Sequence, residues 1–398
     1  MRRSGQGDRR DGVQRSDPGS GQGSVQHDSR SNAAMENDTK ARILQSRERD
    51  GRQDGAQHGR RSSIQSCRPP NRPGAACLAG LTAAVLCAAA LSLCLGARQL
   101  APGAVLRALL GMGTDAERAA ADIVCYVRLP RTAGCLLAGA ALAASGAVIQ
   151  TVLANPLAAP NIIGVNAGAG LGVAACCALA PGAAALTPLA AFMGAFGGVS
   201  LVIALSRRAG ASRMTLVLAG VAVSGMLSAG VDLVLTLVPD ALVGYSDFRI
   251  GGLAQVSMNK VAPAAWGIVP CLAALMLLAG ELDVLALGED VAHSLGLRVR
   301  AVRLALLALA AALAGAAVSF AGLLGFVGLV APHIARRLVG SEARRLLPGA
   351  ALLGALLLTL CDVAARVLFA PFELPVGIVL SLAGGPFFLW LLLRQKRG

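Results

Sequence analysis

From about Ala75 onward the sequence is a train of apolar stretches, many of them near or beyond the roughly 18–20 residues that cross a bilayer as a helix. A segment standing alone in lipid must pair every backbone N–H and C=O within itself, so helix is the only element open to these stretches. Ten spans are predicted, near 76–97, 132–153, 162–181, 186–206, 214–238, 262–280, 302–321, 323–339, 346–369 and 375–393. The expected fold is an all-α polytopic membrane protein of about ten transmembrane helices. Composition points the same way, with 55% hydrophobic and only 15% charged residues, where a soluble domain carries about a quarter charged. Glycine is abundant, and it lets helices approach closely in lipid, where apolar surface gives no drive to associate.

Two regions divide the chain. Residues 1–75 are rich in Arg, Gly, Gln, Ser and Asp and bury too little apolar area to offset their ordering entropy. No apolar run follows the early arginines, which argues against a signal peptide. This extension reads either as a disordered cytosolic tail or as an over-long start, with Met35 as one alternative first residue. Residues 76–398 form the transmembrane domain.

The net charge of +14 is spread over the tail and the short loops. A nucleic-acid binder would gather its basic residues on one folded face with stacking aromatics; aromatics are only 3% here. The pattern reads as membrane topology. Arg207, Arg208 and Arg213 join spans four and five, Arg298, Arg300 and Arg303 precede span seven, and Arg336, Arg337, Arg344 and Arg345 join spans eight and nine. With the C-terminal Arg394 to Arg397 cluster, these place both termini in the cytoplasm by the positive-inside rule. Arg128 and Arg131 are the exception, falling at the outer edge of span two. They either anchor in lipid headgroups or receive an acidic partner from outside.

Three other features carry possible chemistry. The turn Asn155-Pro156-Leu157-Ala158-Ala159-Pro160 breaks helicity near the cytoplasmic face, as a simple connection or as a gate. Leu287-Gly288-Glu289-Asp290-Val291-Ala292-His293-Ser294-Leu295-Gly296 is a short amphipathic piece bracketed by glycines, with Leu287, Val291 and Leu295 at i, i+4 and i+8. It is expected to lie on the membrane surface or to dock a soluble partner. Asp362 and Arg366 sit four apart on span nine, a spacing that suits an intrahelical pair. Intramembrane acids at Asp232 and Asp362 leave a proton-coupled transporter as a rival reading. The ten cysteines lie mostly inside apolar spans, with no CxxC and no Cys/His cluster at metal spacing. His293 has no second ligand nearby, so neither a metal nor a cofactor is expected. No phosphate-binding G-x-x-x-x-G-K-[ST] occurs; the three lysines are Lys40, Lys260 and Lys396. No catalytic constellation is legible, so no enzyme activity is expected.

Several blocks, in order, resemble the FecCD-type permeases: RLPRTAGCLLAGAALAASGAVIQ…NPLAAPNIIGVNAGAGLG, LALGEDVAHSLGL, GLLGFVGLVAPHIARRLVG and DVAARVL…ELPVGIVLSLAGGPFFLWLLL. The resemblance runs from about Ala75 to Arg394. It implies the type II ABC importer permease architecture in a bacterial cytoplasmic membrane, with a dimer formed with a second copy or a paralogue. Its implied partners are two cytosolic ATPase subunits and an external substrate-binding protein, and its implied cargo is an iron chelate, with haem and cobalamin as alternatives. By the same resemblance, Arg128, Arg131 and Arg366 match the outer arginines that receive glutamates of the binding protein. Leu287, Gly288, Glu289, Asp290, His293, Leu295 and Gly296 match the segment that fits the ATPase. Asn155, Pro156, Leu157 and the Ala211-Ser212-Arg213 turn match the cytoplasmic gate. His333, in the Val330-Ala331-Pro332-His333 block, is expected to be structural. Tyr245 to Ala254 departs from the pattern, carrying Asp247 and Arg249 where relatives are often more apolar and aromatic.

Overall fold

A computed structural model of the protein describes residues 74–96, 99–112, 118–210, 212–369 and 372–395. The extension up to residue 73, Ala211 of the expected gate turn and the last residues of the C-terminal basic cluster lie outside these. Every element among the described residues is helical. The chain runs through α1 (Gly74–Cys94) and α2 (Pro102–Leu109) to a long α3 (Arg118–Val152). After a single 3₁₀ turn at Pro160–Ile163 come α4 (Val165–Leu179), α5 (Thr187–Arg208) and α6 (Arg213–Leu237). Short α7 (Ala241–Ile250) leads to α8 (Met258–Leu277), α9 (Ala279–Ala286) and α10 (Glu289–Ser294). Finally α11 (Val299–Ala321), α12 (Val327–Val339), α13 (Ala343–Val367) and α14 (Val376–Gln395) complete the bundle.

Each of the ten expected spans is a helix, but they are not equal. Seven are long and apolar enough to cross a bilayer unaided: α1, α3, α5, α6, α8, α11 and α13. α4 and α12 are short, at 15 and 13 residues, or about 20–22 Å at 1.5 Å per residue against ~30 Å of hydrocarbon. Both begin after irregular backbone. The stretch before α12 turns through Gly322 at φ 73° and Phe326 at φ 63°. Its polar groups pair across chain segments: Leu323 N–H donates to Phe248 O at 3.0 Å, Gly252 N–H to Ala321 O at 2.9 Å, and Gly377 N–H to Gly251 O at 3.2 Å. Such backbone survives at membrane depth because protein, not lipid, surrounds it.

Span two also differs from expectation. It starts at Arg118, not near 132, and passes through a π-helical stretch, Ile123–Arg128. Hydropathy missed this turn because Arg118, Asp122, Arg128 and Arg131 interrupt the apolar run. Arg128 and Arg131 therefore lie within a helix, not on its edge.

α3 is the axis of the domain, packed along α11, α12 and α13 and buried over most of its length, whereas α1, α5, α6 and α8 leave most of their surface outward. Glycine makes the close crossings. A Cβ on Gly139 of α3 would overlap the Gly354 carbonyl of α13, and one on Gly168 of α4 would overlap the Gly194 carbonyl of α5. Two helices meeting backbone to backbone gain dispersion contacts that bulkier pairs cannot reach. Among the polar groups of this interior, Ser145 Oγ donates to Ala310 O at 2.7 Å, and Arg336 reaches Gln150 Oε1 and, at 3.2 Å, Thr151 Oγ1.

Candidate functional site

Two clusters of charged side chains mark opposite ends of the bundle. At the first, the C-terminus of α1 meets α3 and α13. Helix α1 ends with carbonyls that have no intrahelical donor, and two guanidinium groups meet them. Arg128 Nη1 donates to Leu93 O at 2.6 Å and Cys94 O at 2.7 Å. Arg366 Nη1 reaches Ser92 O at 3.3 Å and Leu95 O at 3.1 Å, while its Nη2 donates to Ser92 Oγ at 2.7 Å. Cations at a helix C-terminus also complement its partial negative charge.

Asp362, fully buried, is the hub between α3 and α13. Its Oδ1 accepts from Arg131 Nε at 3.0 Å, and its Oδ2 lies 3.1 Å from Arg366 Nε, the i, i+4 pair expected from the sequence. Arg131 Nη1 also donates to Glu373 Oε2 at 2.7 Å. Arg128, Arg131 and Arg366 are only 4%, 3% and 3% exposed. All three expected docking arginines thus converge at one end, and the structure turns their guanidinium groups into the fold. Glu373, a partner at the rim, is 38% exposed. No local pattern signals the Arg131–Glu373 pair, because it joins positions 242 residues apart.

Beside this cluster opens a cleft of about 540 Å³ between the α4–α5 connection, α7 and the loop before α14, lined in part by Asp240, Asp247, Lys260 and Glu373. Asp247, in the segment that departs from the family pattern, faces it, and buried Tyr245 lies on the same helix, its phenol pushed up chiefly by burial. Asp232 is exposed on α6, whereas Asp362 is held between two arginines.

At the opposite end α9 and α10 form a bracket outside the bundle. Gly288, at φ 113°, starts α10, and Gly296, at φ 81°, follows it. The helix itself covers only Glu289–Ser294, so Leu287 and Leu295 flank it. Ala292 faces inward and is buried, while Leu287, Val291 and Leu295 are 63%, 44% and 63% exposed. The apolar ridge expected from the spacing therefore points away from the protein. Asp290 and His293 are exposed beside it.

Glu289 points back. Its Oε1 pairs with Arg303 of α11 and lies 3.4 Å from Arg213 Nε, at the start of α6. One turn upstream, Asp283 Oδ1 accepts from the backbone N–H of Ala343 at 2.7 Å, satisfying a free donor at the start of α13. Sequence reasoning named Glu289 and Arg213 but set them in separate groups, and it did not single out Asp283. Ser212 is the N-cap of α6, its Oγ accepting from Thr215 N–H at 3.0 Å. Asn155 closes a side-chain turn, its Oδ1 accepting from Leu157 N–H at 2.9 Å, with Pro156 exposed beside it. The following 3₁₀ turn rests on α6, where a Cβ on Gly220 would overlap the Ile162 carbonyl. Both expected gate elements thus bear on the same helix. Among the described residues no group of three or more His, Cys, Asp or Glu side chains is placed to hold a metal ion.

Known proteins give this architecture a context. The chain is 41% identical over 277 residues to the hemin transport system permease protein of Yersinia pestis, covering 68% of this chain and 83% of that one. It is 38% identical over 329 residues to the vitamin B12 import system permease protein of Salmonella paratyphi A, covering 80% and 95%. The Fe(3+)-citrate import system permease protein of Bacillus subtilis is 34% identical over 308 residues, covering 77% and 91%. A solved metal-chelate type ABC transporter in an inward-facing conformation superimposes with a TM-score of 0.70 at 30% identity, covering 80% of this chain and 99% of that one. Residues 84–394, nearly the whole helical domain just described, match the FecCD transport family, to which this chain belongs.

Proposed function

We propose that the protein is the membrane permease of an ATP-driven importer, moving an iron chelate into the cytoplasm while separate subunits bind and hydrolyse ATP. The observation that carries this reading is the outward ridge of Leu287, Val291 and Leu295 on a bracket braced against three spans. A soluble domain that buried this ridge would gain apolar contact and a mechanical hold on α6, α11 and α13. The permease has no phosphate-binding loop of its own, so the ridge is where the ATPase would seat.

Charge supports the orientation. Arg207, Arg208, Arg213, Arg298, Arg300, Arg303, Arg336, Arg337, Arg344 and Arg345 belong to the end that carries α10, and Gly74 at the start of α1 lies against Arg345. That end is assigned to the cytoplasm, with both termini. The Arg128, Arg131 and Arg366 end then faces outward, toward the substrate-binding protein. Arg128, Arg131 and Arg366 gather at this end, and cationic side chains draw an approaching carboxylate. Asn155 to Leu157 and Ser212 to Arg213 close the cytoplasmic end, and a second permease completes the pathway. Relatives named for hemin, Fe(3+)-citrate and vitamin B12 share this scaffold, and two of those three are iron compounds.

The test is uptake into proteoliposomes holding the permease with its ATPase and binding protein, using ferric siderophore, hemin and cyanocobalamin in parallel. Uptake of an iron chelate that vanadate blocks is the expected result. Uptake that resists vanadate and collapses with a protonophore would overturn the ATP-driven reading. Vanadate-blocked uptake of cyanocobalamin alone would overturn the cargo.

A further inference from the structure

We infer that Glu289 is the positioning residue through which movement of the α10 bracket reaches the gate end of α6. The inference rests on the proposed function and adds to it a specific latch. The two halves of the latch are unequal. Arg303 is 8% exposed and holds the carboxylate closely, tying α10 to α11. Arg213 is 28% exposed and stands 3.4 Å from the same oxygen. Its Nε and Nη2 are buried yet have no hydrogen-bond partner among the described residues. A guanidinium held only by a long ion pair is poised to shorten that contact or lose it as α10 shifts by a fraction of an ångström.

The surroundings direct such a shift onto α6. Asp283 pins the upstream end of the bracket to the first N–H of α13, and Arg303 pins its other end to α11. Both anchors lie on helices packed against α3. Arg213 sits instead on α6, which leaves most of its surface outward and is joined to α5 by the short turn through Ser212. Force applied at the Leu287, Val291 and Leu295 ridge is therefore resisted at α11 and α13 and yields at α6. The partly exposed Arg213–Glu289 pair is weak enough to make and break in each cycle. Glu342, at the same end and half exposed, pairs with Arg345 three residues further along and serves as a control.

The test uses the complete importer in nanodiscs, with Ser212→Cys as the sole accessible thiol at the turn and maleimide labelling as the readout. In the parent protein, MgATP changes the labelling rate. Glu289→Gln is expected to abolish that change while ATPase binding and hydrolysis persist. Arg213→Gln should give the same loss of response, and the double variant no further loss, since both remove the Arg213–Glu289 pair, Glu289→Gln removing the Arg303 pair as well. Glu342→Gln should keep the full response. A retained MgATP response in Glu289→Gln overturns the latch, as does loss of ATPase association, which would make Glu289 a direct contact. Should Glu289→Gln fail to assemble, Arg213→Gln decides by the same criterion. A parent protein that binds and hydrolyses ATP with no change at position 212 also overturns the latch, whereas vanadate-resistant uptake in the proteoliposome assay defeats the proposed function.

Discussion

Replacing Asp362 with alanine should be among the most damaging single changes in the bundle. The carboxylate is fully buried and pairs with Arg131 at 3.0 Å and Arg366 at 3.1 Å. Its removal strips a carboxylate from both of those guanidinium groups and leaves Glu373 as the ion-pair partner of Arg131 among the described residues. Breaking one partner out of a buried ionic network costs about 3–5 kcal/mol, or two to four powers of ten in the folded fraction. Glu373→Ala is the comparison. That carboxylate is 38% exposed and its loss leaves Arg131 still paired to Asp362, so solvent screening holds the cost to about 1 kcal/mol. Cys135 is a natural reporter, fully buried on α3 beside Asp362. Its thiol modification along a denaturant titration, resolved by mass spectrometry, should begin at much lower denaturant in Asp362→Ala than in Glu373→Ala. Adding Arg366→Met should recover part of the loss by removing one stranded charge, but not all, because Arg366 also caps α1. Equal costs for the Asp362 and Glu373 variants would mean that burial does not decide the strength of these pairs.

Other outcomes follow from the same geometry. Gly139→Leu should prevent stable folding, because even a Cβ overlaps Gly354, whereas Gly197→Ala, with nothing within 4 Å of its added carbon, should be neutral or stabilise by about 0.5–1 kcal/mol; expression and thermal melting in detergent distinguish them. Gly288→Ala also meets open space, but its φ of 113° makes an L side chain cost about 1–3 kcal/mol, and this should appear as weaker ATPase association with unchanged global stability. Leu287→Asp and Leu295→Asp should each weaken ATPase association at least tenfold in pull-down titrations, by analogy with other central apolar interface anchors, while leaving melting unchanged because both side chains are 63% exposed.

Much of the fold was written in the order of residues. Apolar length and the lack of any alternative to helix in lipid determine an all-α membrane bundle and its ten principal apolar helices, and the arginines between spans distinguish its two ends. Spacing alone also determined the Asp362–Arg366 pair and the apolar ridge of Leu287, Val291 and Leu295, because i, i+4 contacts depend only on helix geometry. The sequence blocks were likewise enough to reach the FecCD transport family. Tertiary structure decided the rest. Whether Arg128 and Arg131 lie on a surface or inside the fold depends on carbonyls of α1 and carboxylates of α13 and its following loop, far along the chain. Whether α4 and α12 span fully depends on irregular backbone satisfied by neighbouring segments, which hydropathy cannot see. The meeting of Glu289 with Arg213 and Arg303 joins three helix starts that lie apart in sequence. Local periodicity is a property of the chain; a charge finds its partner only when distant helices are packed, and at both ends of this protein that packing sets what each charged group can do.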